Sequence, residues 1–288
     1  CNPAQNQTQF CNSSGVIVNN DPLDTSDVAT PQTMRNWVGH LQQTFGSAAN
    51  GGVRNYALDN EPMLWNSTHR DVHPQPLTYD DKAFLDNVKA NYDEIWQRTV
   101  AYASAVKAQD PAAQVFGPVT WGYCDLFGSA ADNCVDGSDR EAHEGKPFVK
   151  WYLGKVCEYQ AQNGVRLVDV LDLHYYPQGQ GVVDFSDPPN GSETATVSAR
   201  RLRSLKELYD ANWESESWVA DLGNDPTWHY SRPNLIPRVR AWIDEECPGT
   251  RLAITEYNWG ADNGASSALA QAEALAIFAR EGVDAAAR

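Results

Sequence analysis

Short apolar runs alternate with helical stripes along this chain, and that alternation leaves few folds open to it. The runs are 56–58, 115–121, 167–176 and 252–259. After Pro31, the residues Met34, Trp37, Val38, Leu41 and Phe45 recur at helical spacing and stop at Gly46. Thr78 and Asp81 open a second helical region, whose stripe of Val88, Tyr92, Ile95, Trp96, Val100 and Ala103 ends at Asp110-Pro111. Further helices are predicted over 148–159, 197–208, 235–243 and 268–278. Strand followed by helix, repeated, predicts parallel βαβ units. The four runs are then consecutive strands of one sheet, with no internal repeat, low-complexity tract or linker between them.

Two of the runs end alike. Arg54 to Pro62 closes on Asn60-Glu61, and Leu252 to Trp259 carries Thr255-Glu256-Tyr257. In a barrel of parallel strands the C-terminal strand ends converge on one face, so these two carboxylates are expected to become neighbours across a cleft. Two such carboxyls can cleave a glycosidic bond. An ion pair at a strand end is the ordinary reading of an isolated Glu. The repeated placement, with Trp and His in the loop after Glu61, favours catalysis instead.

Composition narrows the partners. With 22 Lys and Arg against 38 Asp and Glu, the formal charge of −16 repels phosphates and anionic lipid heads, so neither nucleic acid nor a membrane surface is expected as a partner. No run approaches the ~18 apolar residues of a membrane span. Ten Trp, 12 Tyr and 8 Phe supply flat apolar area that can cover a sugar ring, although most large rings belong to cores.

The six cysteines suggest an oxidising compartment. Cys124 with Cys134, and less securely Cys1 with Cys11, are spaced to staple polar loops, each bridge contributing roughly 2–3 kcal/mol in the chain-entropy model. Zinc is the rival reading, but no second closely spaced Cys or His pair of the usual form accompanies them. Cys157 and Cys247 stand in helix-like contexts and read as buried thiols. No leader is readable at the N-terminus, which fits a processed chain or a fragment.

Four motifs name a family. Tyr-Ala-Leu-Asp-Asn-Glu-Pro-Met-Leu-Trp at 56–65, Gly-Pro-Val-Thr-Trp-Gly at 117–122, Asp-Leu-His-Tyr-Tyr-Pro at 172–177 and Ile-Thr-Glu-Tyr-Asn-Trp-Gly at 254–260 resemble glycoside hydrolase family 44. The loop 124–145, with Ala-Asp-Asn-Cys-Val-Asp-Gly and Asp-Arg-Glu-Ala-His, resembles it too. The resemblance covers nearly the whole chain. It implies an α/β fold, a TIM-like (β/α)8 barrel carrying a small β-sandwich, and endo-acting, retaining hydrolysis of β-1,4-glucan or xyloglucan. Against that pattern, residues 1–288 represent about strands four to seven of a single catalytic barrel truncated at both ends. Residues 282–284 begin an eighth strand, and the sandwich is absent.

The resemblance also assigns roles. Glu61 matches the general acid/base and Glu256 the nucleophile. Retention requires carboxyls about 5–5.5 Å apart, whereas inversion requires about 6.5–9.5 Å. Asn60 is expected on the sugar 2-hydroxyl, with a local turn contact as the alternative.

Among the aromatics, Trp65, Trp121, Trp228 and Trp259 lie past strand ends or in loops and are the candidate sugar platforms. His174 and Tyr175 are placed to bond Glu256 or substrate, or else to plug the barrel. His69 and His73 read as loop-bracing residues rather than metal ligands. No cofactor is required and no metal is assigned. Asp125, Asp132, Asp136 and Asp139 form a solvated acidic loop in the favoured reading, with a structural calcium as the alternative. Sequons occur at Asn6, Asn12, Asn66 and Asn190, but a glycan on Asn66, five residues after Glu61, would crowd the cleft, which points to a secreted bacterial protein without glycans there.

The leading function is therefore a retaining endo-β-1,4-glucanase acting on polysaccharide or oligosaccharide. A hydrolase of mannan or xylan, and a non-catalytic carbohydrate-binding protein, are the alternatives. Oligomeric state is not readable.

Overall fold

Each apolar run forms a parallel strand: β1 Asn55–Ala57, β2 Gln114–Thr120, β3 Val170–Tyr175 and β4 Arg251–Tyr257. The computed structural model describes residues 26–69, 73, 89–132, 134–183, 193–223 and 225–288. It divides into two compact units, Cys1–Val168 and Asp169–Arg288.

In the first unit, α1 (Pro31–Phe45) starts at Thr30, whose side chain accepts from the Thr33 amide, with Pro31 in the first turn. Only Val38 of its predicted stripe is deeply buried, while Trp37 and Phe45 are more than half exposed. β1 pairs with β2, Tyr56 opposite Val115. A short helix α2 (Trp65–Thr68) follows β1. The start of the helix foreseen at Thr78 lies outside the described residues. The helix described, α3 (Tyr92–Gln109), begins behind Asn91, which caps the Glu94 amide. It buries Tyr92, Ile95, Thr99, Ala103 and Val106, a stripe at helical spacing. After a one-turn helix α4 (Ser138–Ala142), α5 (Phe148–Asn163) buries Phe148, Tyr152 and Val156 and stops at left-handed Gly164. β2 is buried at nearly every position, as a parallel strand covered on both faces should be.

In the second unit, β3 is buried throughout and pairs with β4. β4 pairs in turn with β5 (Ala285–Ala286), just past the residues foreseen as the start of another strand. Among the described residues, the unit also holds the α-helices α6 (Ala195–Ser204), running on as a 3-10 turn to Leu208, α7 (Leu235–Glu246) and α8 (Ala265–Glu281).

Cys124 and Cys134 form the expected disulfide. Cys157 and Cys247 are each engaged in a disulfide, which corrects their reading as thiols. The helical context misled, because a disulfide constrains the approach of two Cα atoms and not the backbone class around them. Cys1 and Cys11, and the sequons at Asn6, Asn12 and Asn190, lie outside the described residues. Among the described residues, no helix is long and apolar enough to cross a membrane.

Candidate active site

In the first unit, Glu61 is presented by a strained turn. After β1 the Leu58 amide still bonds the Phe116 carbonyl, and the Glu61 amide bonds that of Val119 at 3.1 Å. Asp59, Glu61 and Val119 all have positive φ, at 66°, 47° and 60°. A positive φ is rare outside glycine, and in a β-branched residue such as Val119 it is an outlier. Such residues cost about 1–3 kcal/mol each and persist where the surroundings impose them, often at functional sites. Pro62 then starts a 3-10 turn, leaving Glu61 half-buried at its head and Asn60 exposed.

Behind this turn stands a carboxyl that sequence reasoning had assigned only to the acidic loop. Asp125 is 3% exposed and accepts the Trp121 amide at 2.7 Å. Burial pushes its carboxyl well above the usual range, and the charge of Glu61 pushes it further, against the pull of the Trp121 amide. Asp132 accepts the amides of Asp139 and Arg140, and Asp139 accepts the Ser129 hydroxyl and the Tyr92 amide. These acids thus spend oxygens on holding their own loop, while Asp136 stays open to solvent.

Trp121 is 41% exposed and lines a pocket of about 390 Å³ with Leu64, Asn66 and Asp125. Trp65, expected as a sugar platform, is instead enclosed, at 9% exposure, with the Arg98 guanidinium 5.1 Å from its ring centroid. His73 braces the same region through Glu94 at 3.3 Å.

The second unit builds its site around Glu256. Leu173 pairs with Ile254 but His174 pairs with Glu256, so Thr255 is an extra residue, a β-bulge. The bulge brings Glu256 to the face that carries His174. There His174 Nδ1 lies 3.5 Å from Glu256 Oε2, and the Tyr176 hydroxyl donates to Oε1. Tyr176 went unrecognised, yet strand alternation pointed to it: it lies two residues from His174 and shares its face, whereas Tyr175 must point the other way.

Two expectations are corrected here. Tyr175 is buried, and its hydroxyl donates to Glu207 at 2.6 Å, as does that of Ser215. Trp259 is 2% exposed, donates to Ser204 Oγ at 3.1 Å and leaves no open face for a sugar. Both are held in the core by polar atoms that the local motif does not reveal. Trp228 is half-buried, edge-on to Trp242 at 6.3 Å. Trp218, which the sequence did not single out, is 40% exposed and donates to Gln178 Oε1 at 3.2 Å. Gln178 in turn donates to the Tyr176 carbonyl at 2.9 Å. The signal was available, since Trp218 sits among serines and acids rather than on a helical stripe.

Arg201 ties the loops beyond β3 and β4 together. Fully buried, it donates to the carbonyls of Val182 at 3.0 Å and Trp259 at 2.6 Å and pairs with Glu193 at 3.0 Å. Gly260, at φ +70°, lets the two loops touch, since a Cβ there would lie 2.1 Å from the Val182 carbonyl oxygen.

The model of glycoside hydrolase family 44 matches residues 1–179. Endoglucanase A of Paenibacillus lautus is 33% identical over 255 residues, covering 86% of this chain and 32% of that protein. A crystal structure of a bifunctional glucanase-xylanase from a metagenome library superposes with a TM-score of 0.81 at 35% identity, over 96% of this chain and 49% of that one. A Paenibacillus polymyxa xyloglucanase of family 44, solved with xyloglucan, gives 0.72 at 30% identity over 88% and 45%. The chain thus spans about a third of the first relative and half or less of the solved chains. Its fold class is α/β, fitting part of a TIM-like barrel.

Proposed function

The chain belongs to glycoside hydrolase family 44, and on that premise we propose that its protein cleaves internal β-1,4 linkages of cellulose-like glucan or xyloglucan with retention. Both units are read as parts of one catalytic barrel domain. Glu256 is the nucleophile and Glu61 the general acid/base. The observation that carries this reading is the setting of Glu256, which receives the Tyr176 hydroxyl on one oxygen and faces His174 with the other. Two such partners fix the direction of a carboxylate, as an attacking group requires.

In the first step Glu256 bonds to the anomeric carbon as the glycosidic bond breaks, and Glu61 gives its proton to the departing oxygen. In the second, Glu61 takes a proton from water, whose oxygen attacks the same carbon and releases Glu256 with its electron pair. This chemistry needs no cofactor. Trp121, Trp218 and Trp228 are the proposed sugar platforms, with Asn60 on the 2-hydroxyl, and the disulfides suit a secreted protein.

Likeness to a glucanase-xylanase favours a second reading of specificity, in which xylan is also cut. Product analysis of the full-length protein on glucan, xyloglucan, xylan and mannan separates these readings. Glu61→Gln and Glu256→Gln should each abolish turnover on polymer, with Glu61→Gln alone sparing the first step on substrates with good leaving groups. Near-normal polymer rates in both variants would overturn the assignment, and turnover by the unmodified protein excludes a purely binding role.

A further inference from the structure

The direction of Glu256 depends on one inserted residue. Paired residues of a parallel sheet share a face, so Asp172 and its partner Ala253 point the same way, as do His174 and Glu256. Were the same residues paired without a bulge, Thr255 would stand opposite His174 and strict alternation would turn Glu256 to the face of Leu171 and Leu173. Those leucines are at most 1% exposed, so the carboxylate would enter an apolar layer. Thr255 therefore decides whether Glu256 meets His174 and Tyr176 at all.

Thr255 itself is tethered. Its hydroxyl donates to Asp172 Oδ1 at 2.6 Å, from the strand position two residues before His174. Asp172 is fully buried, and among the described residues its Oδ2 has no hydrogen-bond partner. A buried carboxyl with one oxygen unmet is costly, and an apolar residue would fill the space more cheaply. Sheet stability alone gives no reason for an acid here. A bulge that must stay in register does, because its extra residue takes no part in the ladder and needs another anchor.

We propose that Asp172 and Thr255 are positioning residues, a hydroxyl–carboxylate latch that keeps the β4 bulge in register and so aims Glu256. The claim rests on the reading of Glu256 as nucleophile. A pair that merely fills the core would move thermal stability and leave the rate of folded enzyme unchanged. A latch moves kcat, since misplacing a reacting group by about 1 Å can cost on the order of a hundredfold.

The test is kinetics of the full-length protein on an aryl β-cellobioside and on xyloglucan, comparing Thr255→Val, Thr255→Ser and Glu256→Gln. Thr255→Val should lower kcat roughly ten- to a hundredfold with little change in KM, and Thr255→Ser, which keeps the hydroxyl, should restore it. Should the valine variant not fold, Thr255→Ala carries the same expectation, removing the hydroxyl without added bulk. An inactive Glu256→Gln beside undiminished kcat in Thr255→Val overturns the latch alone, and so does a serine variant as slow as the valine one. Turnover retained by Glu256→Gln overturns the latch together with the nucleophile.

Discussion

The Glu61 amide donates to the Val119 carbonyl at 3.1 Å, and both residues hold positive φ. One hydrogen bond thus joins two backbone positions that each oppose their own side chain. Val119 is also buried, at 3% exposure. Glycine there would relieve strain as well as lose packing. Val119→Gly should consequently cost about 1–3 kcal/mol less than Val115→Gly, a buried valine on the same strand outside the positive-φ positions. Denaturant unfolding of the two variants measures the difference, and equal losses would mean that the turn is not strained.

Asp125 predicts a pH dependence. Its folded carboxyl is pushed well above the usual range by burial and by Glu61. The folded state therefore holds a proton that the unfolded chain releases earlier. The stability linked to this group is complete below the unfolded value and is lost as pH rises from there through the folded value. Asp125→Asn, whose amide oxygen can still accept from Trp121, removes that loss. Its stability relative to the unmodified protein should rise with pH across that window and level off above it. A pH-independent difference would contradict the buried acid.

Two tryptophans should fail differently. Trp121 is open, so Trp121→Ala should slow polymer hydrolysis while leaving the melting temperature near its original value. Trp65 is enclosed, so Trp65→Ala should cost about 3–5 kcal/mol of stability and reduce activity on short and long substrates alike. Paired melting and kinetic measurements decide, and a reversal of the two patterns would exchange their roles.

Gly260→Ala places a methyl against the Val182 carbonyl at a backbone angle that disfavours it. A destabilisation of at least about 1–3 kcal/mol is expected, from the conformational strain alone. Calorimetry of the purified variant checks this, and an unchanged melting temperature would mean that the loops do not meet so closely.

The strands were legible because β-branched and apolar residues cluster in them, and the helices because their apolar stripes recur at helical spacing, after Pro31 and again through Tyr92, Ile95 and Ala103, although the start foreseen at Thr78 gave no sign of the Asn91 cap. Glu61 and Glu256 stood out through their repeated placement at strand ends. What stayed hidden was set by partners distant in sequence. The bulge at Thr255 is a property of pairing and leaves no local mark, and the burial of Trp259 depends on Arg201 and Ser204 from another helix. Tyr176 could have been found, because adjacent strand residues face opposite ways and His174 with Tyr175 could not both meet Glu256. Glu207 also left a trace, a lone acid between Leu205 and Leu208.

The role of Glu256 can be read chemically. A 2-deoxy-2-fluoro-β-cellobioside with a good leaving group slows breakdown of a glycosyl-enzyme intermediate more than its formation. Incubating the full-length protein with it, digesting and mapping by mass should place the sugar on Glu256, within the peptide 252–280. A label on any other residue, or no label while the enzyme turns over with inverted product, would contradict the account.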